Sequence, residues 1–600
     1  MPSLLRTLSY HLDSTLLAQL TLSTALLLIL LVFPLLSVVY VASQYNPLLL
    51  FSDPTYVSTR PHGTLYTVYS GTFRGREVTV FRLLGVSFGA ILNSLLIASI
   101  TTVAASVIGT IVALVLARYS FPGKTAFRVL ATLPLLQTPF INSFVIKKLF
   151  DWKDGLISWL LSDVAGLPFR VGIDSLAGVA VAQIMTFFPI VYLNVYASMM
   201  NIDPSLEEQA ENLGAKGFKL FRSVTLPLSL PGLAAGSALV FIFSLEDVAA
   251  PIVFNEHRLI SYQIFTRFVE ATTGQLSPAA ASLALLLLLL ALTVFTGIRK
   301  YVTLKRYAML SRGGRWKPRV RKLGLLGLSA VYLGLLPLLL FAGFPQIGVF
   351  VYAFSERWSG PLPEGLTLGH LSKISVDPLV SRAVYNSLLY SFSALALILL
   401  LGVSAPYVIA RAKIKGLELL DLLVTSPVAI PGLVLAVGYF YFFTTFFKYT
   451  ILDPIAYGPS LLIILAYSIR RLPFTARAVF AGLQQVHVAL EEASMNLGAG
   501  RFRTLVSVVL PLIGLNVLSG SLVSFVYCMS ETSTSVTLGG LGGIGETHRA
   551  PITYIMMDNL NRIGGPHIVA SLGVILISLQ LATITLVNVV LKQRYAYIGV

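Results

Sequence analysis

Cysteine is almost missing from this chain: Cys528 is the only one, and it lies in an apolar run. No intrachain disulfide can form, and no thiolate cluster can hold a metal. Histidine is sparse and scattered, seven residues without a His-x-x-x-His pair. No nucleophile–base constellation can be argued from spacing, and no paired acids or His cluster mark an intramembrane enzyme. Charge is scarce too. Asp, Glu, Lys and Arg make up 12% of the 600 residues, against about 25% in a soluble domain.

Acidic residues are the scarcer sign, 26 against 43 Lys and Arg, for a net charge of +17. That surplus does not point to nucleic acid, because the basic residues gather at the ends of apolar runs. The densest group, Arg299 to Lys322, holds ten of them. Positive residues flanking spans mark the cytoplasmic side.

What is present is hydrocarbon: 56% of residues are hydrophobic. A spanning helix needs roughly 20 apolar residues. Such runs lie near 17–42, 86–117, 128–147, 176–199, 227–246, 278–298, 323–353, 383–410, 420–446, 458–479, 511–529 and 566–591. The third ends in charge and reads as short or broken. The first outlasts the 7–15 residues of a secretory h-region by so much, roughly twofold, that it reads as a retained span. With the N-terminus inside, the cytoplasmic connections hold Arg118, Lys124 and Arg128, the Leu206 stretch, the 299–322 segment, Arg411 to Lys415, and the Leu490 stretch preceded by Arg470, Arg471 and Arg477. The outer segment 44–84 alternates around Ser70-Gly71, which predicts a small hairpin.

The chain is a tandem duplication. Asn93-Ser94-Leu95-Leu96 returns as Asn386-Ser387-Leu388-Leu389, and Ala117-Arg118 as Ala410-Arg411, both 293 positions on. Gly214 returns as Gly498 and Pro227 as Pro511, 284 positions on, so the first half carries a nine-residue insertion around 150–175. Six spans per half give parallel repeats, 1–298 and 323–600, joined by the basic linker 299–322. The fold class is all-α and polytopic.

One polar stretch interrupts each half. Leu206–Leu228 and Leu490–Leu512 are identical at 13 of 23 positions. Asp203 suits an N-cap and Pro204 the first helical position. Glu207, Glu208 and Glu211 complement the positive helix start and offer ion pairs to a partner. Small Ala210 and Ala215 permit close approach. Gly214 is suited to a left-handed helix stop. A second amphipathic piece, Phe218 to Val224, follows, and Pro227 opens the next span as a structural hinge. The second copy places Glu491, Glu492, Ala493, Gly498 and Pro511 likewise. Both read as helix–Gly–helix elbows on the cytoplasmic face.

These elbows resemble the coupling motif of ABC importer permeases: Glu-Ala-Ala, three residues, Gly, nine residues, Ile-x-Leu-Pro. Here the text is Glu208-Gln209-Ala210, Gly214, Val224-x-Leu226-Pro227, and Glu492-Ala493-Ser494, Gly498, Val508-x-Leu510-Pro511. Gln209 and Ser494 depart from the pattern, as do the valines. The surrounding stretches are similar to the two halves of fused permeases of the iron(III) and thiamine uptake type. The resemblance implies a type I importer permease in a prokaryotic cytoplasmic membrane with both termini inside. It implies two copies of a cytoplasmic ATP-binding subunit and an external substrate-binding protein. ATP and Mg would be bound by the partner ATPase; this chain would bind no cofactor and catalyse nothing. Glu207, Glu208, Ala210, Gly214 and their counterparts would carry the coupling.

Three acids sit at the ends of the spans that follow the elbows. Glu246-Asp247 ends one, and Glu531, which is 284 positions after Asp247, ends the other. Membrane-edge acids are costly and face wet cavities. They read either as an acidic lining of the translocation pathway, suited to ferric iron, thiamine or a polyamine, or as interfacial acids paired with Arg258 or Arg267. An ion-coupled secondary carrier using Asp247 and Glu531 is the competing function; it has no use for twin elbows. Two strings mislead. Gly540 to Gly545 spells a dinucleotide fingerprint without the strand and helix it requires, and Gly123-Lys124-Thr125 has Arg118 where a phosphate loop needs Gly.

Overall fold

The computed structural model describes residues 13–44, 50–136, 139–271, 278–304, 320–358, 360–412, 414–541, 548–560, 562 and 564–587. Most of the basic linker, the tail with Lys592 and Arg594, and most of the Gly540–Gly545 string lie outside the described residues.

Nine helices among the described residues are long and apolar enough to cross a bilayer, and eleven if two sharply bent helix pairs each count as one span. The twelfth is Ser460–Gln485, whose arginines spoil its apolar score. It has the 26-residue length of Ser175–Met200, its counterpart in the first half. It packs between Pro378–Arg411 and Arg501–Met529. The sequence placed Arg470 and Arg471 in a cytoplasmic connection. They lie instead inside this helix, about 15 Å from Ser460 at 1.5 Å per residue, close to half of a 30 Å hydrocarbon layer.

The bent pairs are Lys124–Leu136 with Pro139–Leu149, at 105°, and Leu417–Val428 with Gly432–Phe446, at 108°. Lys124 and Leu417, like Pro139 and Gly432, are 293 positions apart. The break in the first pair was legible; the second was expected as one straight run over 420–446. Pro427 and Pro431 explain the correction, since each lacks an N–H and restricts the residue before it.

Elsewhere proline is absorbed without a break. Before Pro34, Pro227, Pro337 and Pro511 the helix relaxes into one wider turn, with Phe33, Leu226, Leu336 and Leu510 donating to the carbonyl five residues back. A proline ring pushes out the carbonyl four residues before it, and the wider turn accommodates that. Pro227 and Pro511, expected to open the next span as hinges, therefore do not separate an elbow helix from a span. Phe218–Glu246 and Arg501–Met529 are continuous rods of 29 residues.

The halves are interlocked. The first span, Ser14–Gln44, packs on the second half's bent span and on Pro378–Arg411. Ser37 donates to Gly438 O at 2.9 Å, Tyr439 to Leu30 O at 2.5 Å, and Ser23 meets Ser404 at 3.0 Å. A Cβ on Gly438 would stand 2.7 Å from Pro34 O, so only glycine admits this approach. Reciprocally, Leu325–Phe354 packs on the first half's bent span, with Gln346 donating to Leu133 O at 3.0 Å. The sixth span's helix continues to Leu304, past the expected boundary at 298.

The hairpin of segment 44–84 is real but turns at Arg74-Gly75, where both φ angles are positive, four residues beyond Ser70-Gly71. Tyr66–Phe73 pairs antiparallel with Arg76–Leu83, and the latter pairs in parallel with Phe169–Ile173. The expected insertion around 150–175 thus supplies the third strand of one sheet. Arg170, 1% exposed, pins it by donating to Lys153 O at 2.7 Å, pairing with Asp163 and stacking over Phe73.

Candidate coupling elbows and a mid-membrane charge network

Each elbow begins with a nine-residue helix, Pro204–Asn212 or Val488–Asn496. Asp203 caps the first by accepting from Ser205 N–H at 2.9 Å; His487 does so less well for the second, with Nδ1 3.3 Å from Ala489 N. Both helices stop at a left-handed glycine, Gly214 at φ +86° and Gly498 at φ +87°. The chain then turns into the long rod that crosses the membrane.

The acids divide by role. Glu207 is buried and accepts from Arg118 Nε at 3.1 Å and Thr225 Oγ1 at 2.8 Å. Glu491 is buried and accepts from Arg411 Nε at 2.6 Å and Tyr407 OH at 2.9 Å. These two glutamates, expected to offer ion pairs outward, instead fasten each elbow to the second span of its own half. Glu211 pairs with Arg321 at the end of the linker, where Arg321–Lys322 lies in parallel with Tyr119–Ser120. Glu208, Glu492 and Ala493 stay exposed, Ala210 is half-buried, and Ala215 is buried.

Sequence reasoning missed the apolar part of the surface. Leu213 and Leu497 are 87% and 90% exposed, Phe218 and Phe502 74% and 64%, and Leu206 and Leu490 44% and 48%. Each pair is 284 positions apart. The signal was available: all three pairs belong to the positions identical in both copies, yet none is needed for helix, cap or turn.

The acids at the other ends of the rods are deeper than expected. Glu246, Asp247 and Glu531 are buried. Their partner is neither Arg258 nor Arg267. Arg470 reaches Glu246 through Nη2 at 3.0 Å and Glu531 through Nη1 at 2.7 Å. Arg471 also pairs with Glu531 and lies against the Tyr527 ring, itself stacked on Phe474. Gly432 N–H donates to Glu246 Oε2 at 2.7 Å. Asp247 accepts from Gln183 at 3.0 Å and from Ala249 N–H at 2.9 Å, which starts a short helix; Glu531 occupies the same place before Ser533–Leu538. Two arginines against two glutamates make a neutral group, which is how such residues are tolerated at this depth. A cavity of about 190 Å³ borders all five side chains, with both bent spans in its wall.

Comparison with known proteins bears on this arrangement. The model of the family described as binding-protein-dependent transport system inner membrane component matches twice, at residues 105–305 and 398–596. The chain belongs to that family. It is the membrane permease of an ABC importer, and the two matches are its two repeats. Among its relatives is the ferric transport system permease protein FbpB of Actinobacillus pleuropneumoniae, 28% identical over 86% of this chain and 73% of the relative. The putative ferric transport system permease protein FbpB 1 of Haemophilus influenzae is 28% identical over 78% and 73%. The molybdenum transport system permease protein ModB of Haemophilus influenzae is 34% identical over 30% of this chain and 80% of its own length. Family membership decides against the ion-coupled carrier.

Proposed function

We propose that this permease imports ferric iron, handed over by an external binding protein and driven by two ATP-binding subunits, one on each elbow. The observation that carries the drive is the duplication of one exposed patch: Leu206, Leu213 and Phe218 with Glu208 beside them, and the same set 284 residues later. Large exposed apolar side chains beside an acid favour a partner groove with apolar floor and basic rim. Closure of the ATPase pair would push each elbow. The buried Arg118–Glu207 and Arg411–Glu491 pairs would stop it from folding flat, and the rods Phe218–Glu246 and Arg501–Met529 would carry the displacement to the cavity. Gly214 and Gly498 would set the angle.

Support for the cargo comes from the two ferric transport permeases to which most of this chain is similar. In proteoliposomes holding the complex, iron-55 offered on the binding protein should accumulate with ATP and not without it. Stimulated ATP hydrolysis with no accumulation of iron, and accumulation of another solute, would reject ferric iron as the cargo.

A further inference from the structure

The charge network is lopsided. Arg470 and Glu531 belong to the second half, Glu246 to the first. Arg470 is repeat-equivalent to Thr186, 284 positions earlier, and Thr186 accepts from Asn142 at 3.2 Å and donates to Ala182 O at 2.7 Å, both within the first half. Among the described residues one guanidinium therefore ties the halves at this depth.

Three elements end, bend or pass at this point. Glu246 is the last residue of the rod that begins at the first elbow. Gly432 is the first residue after the 108° bend. Arg470 sits midway along Ser460–Gln485, three residues before the proline inside that helix, Pro473. A Cβ built on Gly432 would stand 1.5 Å from Arg470 Nη1, so any other residue displaces the guanidinium. The Gly432 N–H holds Glu246 from the same side.

We propose that the Glu246–Arg470 contact is the seam along which the two halves part during transport, and that Gly432 is the positioning residue that seats it. This rests on the reading of the cavity as the pathway. A push at the first elbow reaches Glu246 through one unbroken helix. When Glu246 moves away, Arg470 remains with Glu531, and the freed Glu246 carboxylate faces the cavity, where an arriving cation or water compensates it. With the halves together, the same carboxylate is already neutralised by Arg470 and offers a cation little.

The test uses Glu246→Cys/Arg470→Cys in a Cys528→Ser chain, assembled with its ATPase subunits and binding protein. Removing one acid and one base together leaves Arg471–Glu531 paired, so no uncompensated charge is buried. Bridging the two thiols with a short bifunctional methanethiosulfonate should cut ATP-driven uptake of iron-55 by about tenfold or more, as expected for a locked transition, and reduction should restore it. Uptake at the unbridged rate would overturn the proposal. Asn194→Cys, on the cavity wall away from the seam, separates the two readings. If Asn194→Cys is labelled during turnover while bridging has no effect, the pathway stands and the seam fails. If it is never labelled, the pathway reading fails. Gly432→Ala provides a check in an uncrosslinked chain: ATP hydrolysis without binding protein should rise about fivefold, and unchanged hydrolysis would reject the seating role.

Discussion

Arg118 donates from Nε to Glu207 Oε1 at 3.1 Å and so fastens the inner end of a membrane span to the first elbow. Arg411 does the same for Glu491 at 2.6 Å. The pairs are buried, duplicated, and set between the helix that would receive a push and the span beside it. A lever needs such a strut.

The strut has a thermodynamic signature. Removing one member leaves an uncompensated buried charge, which costs about 3–5 kcal/mol; removing both costs much less. Arg411→Leu should therefore lower the thermal midpoint of the purified protein more than Arg411→Leu/Glu491→Leu does. Equal or additive losses would place the pair outside the stability of the elbow.

The elbow glycines isolate backbone geometry. Neither Gly214 nor Gly498 has an atom within 4 Å of a built Cβ, so space does not forbid a side chain; the positive φ does. The left-handed conformation costs an ordinary residue about 1–2 kcal/mol and asparagine less. Gly214→Asn/Gly498→Asn should keep most ATP-driven transport. The double Val variant should insert normally and lose transport by about tenfold. Equal transport by both would remove the angle from the mechanism.

Much of the elbow was legible because it is local. Asp203, Pro204 and Gly214 act through their immediate neighbours, and spacing within one stretch is enough to place them. The duplication was legible for the same reason, as text repeated at fixed offsets. What stayed hidden depends on partners far along the chain. Glu207 is an exposed first-turn acid until Arg118, 89 residues earlier, is brought against it. Arg470 looks like a cytoplasmic charge until Glu246, 224 residues earlier, neutralises it at mid-depth. The sheet joins residues near 80 and 170, which hydropathy treats as separate loops.

Arg170 offers a prediction away from the elbows. It is 1% exposed and holds the inserted segment to the sheet through Asp163, Lys153 O and the Phe73 ring. Arg170→Met should strand Asp163 and release residues 150–173. Limited proteolysis of the intact protein in lipid should cut this segment about fivefold to a hundredfold faster, in line with a loss of about 1–3 kcal/mol. An unchanged cleavage rate would show that the sheet holds without it.

The central claim is that two matched elbows each receive one ATP-binding subunit. The mass of the affinity-purified complex in native mass spectrometry tests it most directly. The wild-type chain should carry two ATPase subunits, Leu213→Glu should carry one, and Leu213→Glu/Leu497→Glu should carry none while still inserting. Retention of both subunits by the double variant would contradict the account.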